Sequence, residues 1–291
     1  MYIDQNGNKW FKGNLHTHTT ISDGRKSPEE VLALYRENGY DFIALTDHYK
    51  YGQGGLDEKT GILVLPGCEY HTGANVREGI YHIVSIACDE EPALDRTNGL
   101  PQAQTIIDEI KAKNGVAILA HPAWSLDEPA EILKLHGLDA TEIYNTVSGR
   151  PWNVRPYSGL IIDRVLASGM DLGLVAADDS HFYNGKACRS YVLVKAEECT
   201  IPAIRRALLA GDYKATQKPF LTLTREEDTI TARTDYEMAE FTFFTDVVYS
   251  GGRCFDNTSE AVYHFKRGDT VVRCEVRDHD GNCAWSNPIR L

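Results

Sequence analysis

Asn14-Leu15-His16-Thr17-His18-Thr19-Thr20-Ile21-Ser22-Asp23-Gly24 decides how the chain is read. Extended backbone points residues i and i+2 the same way, so His16 and His18 present two imidazoles on one side, and Asp23 follows at the turn. Two imidazoles are half of a metal site. The other half recurs wherever an apolar run stops. Asp47-His48 follows Phe42-Ile43-Ala44-Leu45-Thr46, Glu69 follows Ile62-Leu63-Val64-Leu65-Pro66-Gly67-Cys68, and His121 follows Val116-Ala117-Ile118-Leu119-Ala120. Asp179-Ser180-His181 ends the run from Leu172 to Ala177. Core packing does not account for so many ligand-type residues at strand ends.

Helix signals separate these runs. Ser27-Pro28-Glu29-Glu30 reads as an N-cap, a first-turn proline and a capping box, and Asn38-Gly39 as the stop. Strands are expected at 40–47 and 62–69, with Tyr81-His82-Ile83-Val84-Ser85-Ile86-Ala87 as a hairpin-like excursion. The alternation then resumes: helix 101–114, strand 116–120, helix 128–136, strand 140–145, helix 156–168, strands 171–178 and 190–196, and helix 200–211. Alternating strands and helices imply an α/β fold with a mainly parallel sheet. Ligands at the carboxyl ends of its strands suit a barrel rim. About 213 residues is short for eight β/α units, which favours a seven-fold or distorted barrel. From 214 the pattern becomes short alternating strands with turns at Gly251-Gly252, Arg267-Gly268-Asp269 and Asp280-Gly281. The expected division is therefore a barrel over 1–213 and a small all-β, sandwich-like domain over 214–291.

The 291 residues carry a formal charge of −12, which argues against general nucleic-acid binding. No run approaches the ~20 apolar residues that span a bilayer, and a cytoplasmic protein is expected. The seven cysteines form no C-x-x-C pair and read as reduced thiols. Imidazole and carboxylate ligands suit manganese, iron or zinc, and the set is too large for one ion. A shared carboxylate, Glu69, is the natural bridge between two cations about 3.5–4 Å apart, where bound water becomes a hydroxide nucleophile.

His16-x-His18 with Ser22-Asp23-Gly24, Thr46-Asp47-His48, Gly67-Cys68-Glu69, Ala120-His121-Pro122 and Asp178-Asp179-Ser180-His181 together resemble the ordered motifs of the PHP (polymerase and histidinol phosphatase) family of metal-dependent phosphoesterases. The resemblance covers residues 10–213 and implies a distorted (β/α)7 barrel with a trinuclear site. By it, His16, His18, Glu69 and Asp179 hold one metal, Glu69, His82 and His121 a second, and Asp23, His48 and His181 a third. Asp23 stands where other members use a histidine. His71 competes for the place given to His82. Catalysis is expected through metal-bound hydroxide at Glu69, His121 and Asp179, with two to three divalent ions.

Arg150, Arg155 and Asn145 are the expected substrate contacts, a guanidinium being suited to gripping phosphate. Trp124 and Trp152 are candidates for stacking or for packing. Asp47 is expected to orient an imidazole. The expected reaction is hydrolysis of a small phosphomonoester, which the Ser-Asp-Gly resemblance points toward nucleotide types. Amide or lactone hydrolysis, or a non-catalytic metal-bearing module, are the alternatives.

Overall fold

The strand Lys9–Asn14 pairs in parallel with Phe42–Ala44 and antiparallel with Tyr191–Lys195. It lies close enough to its neighbour that a side-chain carbon at Gly13 would fall 2.0 Å from the Phe42 ring. Phe42–Ala44 pairs in parallel with Leu63–Leu65. The computed structural model describes residues 1–73, 79–249 and 251–291. The helix Pro28–Glu37 forms the first crossover. Its capping box is complete, with the Ser27 amide donating to Glu30 Oε2 at 2.8 Å and the Glu30 amide to Ser27 Oγ at 3.3 Å.

A second sheet has the order Gly173–Ala177, Ala140–Asn145, Val116–Leu119, Tyr81–Ile86, Gly67–Thr72. Its first three strands are parallel, and Tyr81–Ile86 is antiparallel to both neighbours. The sheets are therefore mixed rather than mainly parallel. The excursion between 67 and 86 is a hairpin, and its connection, part of which lies outside the described residues, is too short for a parallel crossover. Helices are also fewer than the periodicity predicts. The helix expected over 128–136 is a single turn, Pro129–Ile132, next to another single turn, Pro122–Ser125. The longer helices are Ala103–Ala112, Gly159–Ala167 and Ile201–Ala210. The result is a mixed α/β fold.

The two sheets share one apolar core, to which Phe11, Leu15, Phe42 and Leu65 contribute from one side and Val84, Ile118 and Val175 from the other. They meet through isolated parallel bridges at Thr17–Ser180 and His48–Glu69. Both junctions fall on the motifs that carry ligand residues, so closing the core and assembling the site are one event.

Beyond Tyr213–Thr216 two β layers face each other across Leu221, Ile230, Phe241, Phe243, Tyr263 and Val276. One is the three-stranded sheet Thr222–Glu226, Thr229–Arg233, Glu260–His264. The other contains Ala239–Thr245, Cys254–Thr258, Val271–Arg277 and Cys283–Trp285, and it is continuous with the N-terminal sheet because Ala215 pairs with Trp285. Among the described residues no helix is long and apolar enough to cross a membrane.

Candidate metal centre

His16 and His18 are completely buried just past the end of the first central strand. The Asp179 amide donates to the His16 carbonyl at 2.9 Å and the His18 amide to the Ser180 carbonyl at 3.1 Å, which fixes the two motifs against each other. Asp47 secures the loop that follows. It accepts from the Thr19 amide at 2.8 Å, the Ser22 amide at 3.1 Å and Ser22 Oγ at 2.7 Å, and so organises backbone rather than an imidazole. A side-chain carbon at Gly24 would lie 2.4 Å from the His18 carbonyl oxygen, which explains the glycine of Ser22-Asp23-Gly24. His121 and Asp179 adopt φ of 28° and 51°, a region costly for non-glycine residues and found where geometry matters to function.

Three groups of side chains result, each with its ligand atoms within 4.8 Å of one another. The first is His16, His18, Glu69 and Asp179; the second is Glu69, His82 and His121; the third is His18, Asp23, His48 and His181. Glu69 serves the first two with different oxygens: Oε2 lies 3.1 and 3.0 Å from His16 and His18 Nε2, and Oε1 lies 2.6 Å from His82 Nδ1 and 3.3 Å from His121 Nε2. Asp23 Oδ1 is 3.4 Å from His181 Nε2, and Oδ2 is 3.8 Å from His48 Nε2.

The residues fit divalent cations. Buried Asp179 Oδ1 and His48 Nδ1 have no hydrogen-bond partner among the described residues, although both point into the cluster. Nε2 of His16 and of His18 face each other at 3.1 Å. Burial works against charge on Glu69, yet His16 and His82 hold its carboxyl well below the usual range. Burial likewise disfavours a proton on His18, but Asp179 and Glu69 raise it to about 9. His48, where burial wins, is lowered to about 4. Three carboxylates so placed, Asp23, Glu69 and Asp179, demand compensating positive charge, which cations supply. The donors are imidazole nitrogen and carboxylate oxygen.

An uncharacterized protein of Methanocaldococcus jannaschii is 30% identical over 128 residues, which cover 38% of this chain and 68% of that one. A two-domain protein of Bacteroides vulgatus, described as containing a predicted PHP-like metal-dependent phosphoesterase, superposes with a TM-score of 0.58 at 17% identity over 99% of this chain and 98% of its own. The chain has a PHP-like fold and belongs to one family with the archaeal protein. An amidohydrolase of Chromobacterium violaceum with bound sulfate aligns at a TM-score of 0.46 and 18% identity, over 68% of this chain and 96% of that one. No family model matches the sequence.

In this PHP-like fold the groups are backed by Glu142, which the sequence reading did not single out as a support for the ligands. Its Oε1 lies 2.7 Å from His16 Nδ1, and its Oε2 accepts from the His121 amide at 2.9 Å and from Asn145 Nδ2 at 2.7 Å. Asn145, expected at the substrate, is buried and also donates to Asp179 Oδ2 at 3.1 Å. His82 rather than His71 joins Glu69 and His121, and the two rings stack with centroids 5.4 Å apart.

A cleft of about 230 Å³ opens over the groups, lined beyond them by Trp124, Val147, Ser148, Asn153 and Phe182. Arg150 and Arg155 lie exposed on the adjoining loop and do not line it. Trp152 stacks on Phe182 at 5.0 Å. Phe182 was missed, although its position directly after His181 was the available signal. A larger groove of about 430 Å³ beside Lys9, Lys195 and Arg206 borders none of the groups, so chemistry and not size marks the site.

Proposed function

We propose that the chain hydrolyses a small phosphomonoester with two to three divalent ions, manganese, iron or zinc, held by His16, His18, Asp23, His48, Glu69, His82, His121, Asp179 and His181. The observation that carries this reading is the sharing of Glu69 between two ligand groups and of His18 between two, under one cleft. The name of the Bacteroides vulgatus protein points the same way. Residues 1–213 would form the phosphoesterase unit, a distorted (β/α)7 barrel, and 214–291 a supporting β unit.

Bound ions would supply an acidic water and neutralise phosphoryl oxygens. The protein's own part is positional. Glu69 sets the spacing between neighbouring ligand groups with its two oxygens. Glu142 fixes the His16 ring, since a carboxylate on the far ring nitrogen sets tautomer and orientation. Asn145 restrains Asp179 rather than meeting substrate. Arg150 and Arg155 would touch only a part of the substrate that extends past the cleft.

Elemental mass spectrometry on protein purified without chelator, paired with phosphate release from a panel of monoesters, tests the reading. Two to three equivalents of metal and metal-dependent release are expected. A metal-loaded protein inert toward every phosphate ester but active on amides or lactones would replace it with the acyl alternative.

A further inference from the structure

Among the described residues the cleft has two aromatic linings, Trp124 and Phe182, and no basic one. Trp124 stands on the single turn that begins at His121, its amide bonded to the His121 carbonyl at 2.9 Å. Its ring meets His121 edge-on at 4.9 Å and His82 at 5.5 Å, so it belongs to the Glu69–His82–His121 end of the site. Phe182 follows His181 of the Asp23–His48–His181 group and lines the same cleft, its centroid 6.1 Å from that imidazole. Trp152 stacks on it, and the Arg25 guanidinium sits 4.9 Å from its centroid. Both rings are held by neighbours before any substrate arrives, so little ordering cost remains on binding.

Among the described residues no lysine or arginine lines the cleft, whereas Asp23, Glu69 and Asp179 do. A second anionic group on the substrate would face carboxylates, and among the described residues the cation beside Phe182, Arg25, lies against that ring rather than lining the cleft. At about 230 Å³ the cleft is also smaller than the roughly 300–1,000 Å³ of sites that bury drug-sized ligands.

We propose that the site selects a phosphate monoester whose leaving group is one uncharged aromatic ring, held between Trp124 and Phe182. This rests on the phosphoesterase reading and names its substrate class. In the reaction the oxygen of one water bonds to phosphorus, the bond from phosphorus to the ring oxygen breaks, and the ring oxygen takes up a proton to leave as the hydroxyl compound. The other proton of the water stays with phosphate or passes to solvent.

The test uses non-hydrolysable probes, so that it does not depend on turnover. Calorimetry on the metal-loaded protein compares phenylphosphonate, methylphosphonate and a nucleoside monophosphate, and is repeated on Trp124→Leu and Phe182→Leu variants whose metal content is checked. Phenylphosphonate is expected to bind about tenfold more tightly than methylphosphonate, the worth of one good ring contact at each wall, and the nucleotide no more tightly than phenylphosphonate. Each variant should lose most of the phenyl preference while keeping its metal. Equal affinity for phenyl and methyl probes, a phenyl preference that survives both substitutions, or a nucleotide that binds tightest overturns the proposal. A phenyl preference lost in the variants, in a protein that hydrolyses no phosphate ester, would sink the phosphoesterase reading while leaving the aromatic clamp in place.

Discussion

Glu142 illustrates what one residue contributes without touching a ligand position. Both its oxygens are engaged, one on the His16 ring and the other on the His121 amide and the Asn145 amide, and the side chain is 1% exposed. Replacing the carboxylate by an amide keeps the shape but removes the charge that makes His16 a stronger donor. Glu142→Gln should weaken metal binding about 10–100-fold. Equilibrium dialysis against manganese or zinc reads this directly, and an unchanged affinity would remove the positioning role. The contrast with His16 and His18 shows what local pattern can carry. Alternation along an extended segment places those two imidazoles together from sequence alone, whereas Glu142 meets His16 across 126 residues, a separation at which no local periodicity survives. The same holds for Asn145, whose place at a strand end was readable and whose inward turn toward Asp179 was not.

At the scale of elements, the turn at Asp280-Gly281 was readable from its own residues, and a second of the same build near the start of the chain was not singled out. Asp4-Gln5-Asn6-Gly7-Asn8 and Asp278-His279-Asp280-Gly281-Asn282 solve the same reversal in the same way. In each the aspartate accepts from the amides two and four residues on, at 2.9 and 2.9 Å in the first loop and 2.9 and 2.8 Å in the second, and glycine takes the positive φ at 80° and 84°. The Asn8 side chain and then the Trp10 indole N–H hold the Asp4 carboxyl down to about 2. A carboxyl lower in the folded than in the unfolded chain stabilises above its ordinary value near 3.8 and loses that contribution as pH falls toward 2. Between pH 5 and 3 the urea midpoint of the wild type should therefore fall further than that of Asp4→Asn, and parallel falls would assign the loop no such role. The helix expected over 128–136 shows the opposite case. Its apolar spacing was present, but the segment breaks after one turn, and the buried Ile132, Leu135 and Leu138 pack against Ile107 and Val165 without continuing the helix.

For the whole molecule the decisive question is how residues 214–291 relate to the rest. Arg273, 1% exposed, reaches from the strand Val271–Arg277 to Asp163 on the helix Gly159–Ala167, with bonds of 2.6 and 2.9 Å, and also pairs with Glu275 at 2.5 Å. Removing one partner of such a buried network leaves charge uncompensated, so Arg273→Ala should cost on the order of 3 kcal/mol in denaturant unfolding. Arg273→Lys should recover little of it, because an ammonium cannot reproduce the paired bonds. A loss under about 1 kcal/mol, the range of exposed pairs, would show the network to be peripheral. The packing argues further in the same direction. Val271 and Trp285 share a core with Ile143, Ile162, Leu166, Leu174 and Ala215, and Ala215 is also hydrogen-bonded in register with Trp285. Composition changes sharply after Lys214, which makes the segment read as separable, but that change records only the switch to strand patterning and not which strands the new ones join. Ending the chain at Thr216 would strip that cluster of its largest side chain and leave Tyr213–Thr216 as an open edge beside exposed apolar surface, the setting in which sheets aggregate. The expected outcome is a shortened protein that is insoluble or melts well below the full chain, and whose metal site is lost with the strand Ala140–Asn145 that carries Glu142. A soluble fragment with cooperative unfolding and full metal content would instead establish that residues 1–216 fold alone, and would reduce the shared core to a docking surface.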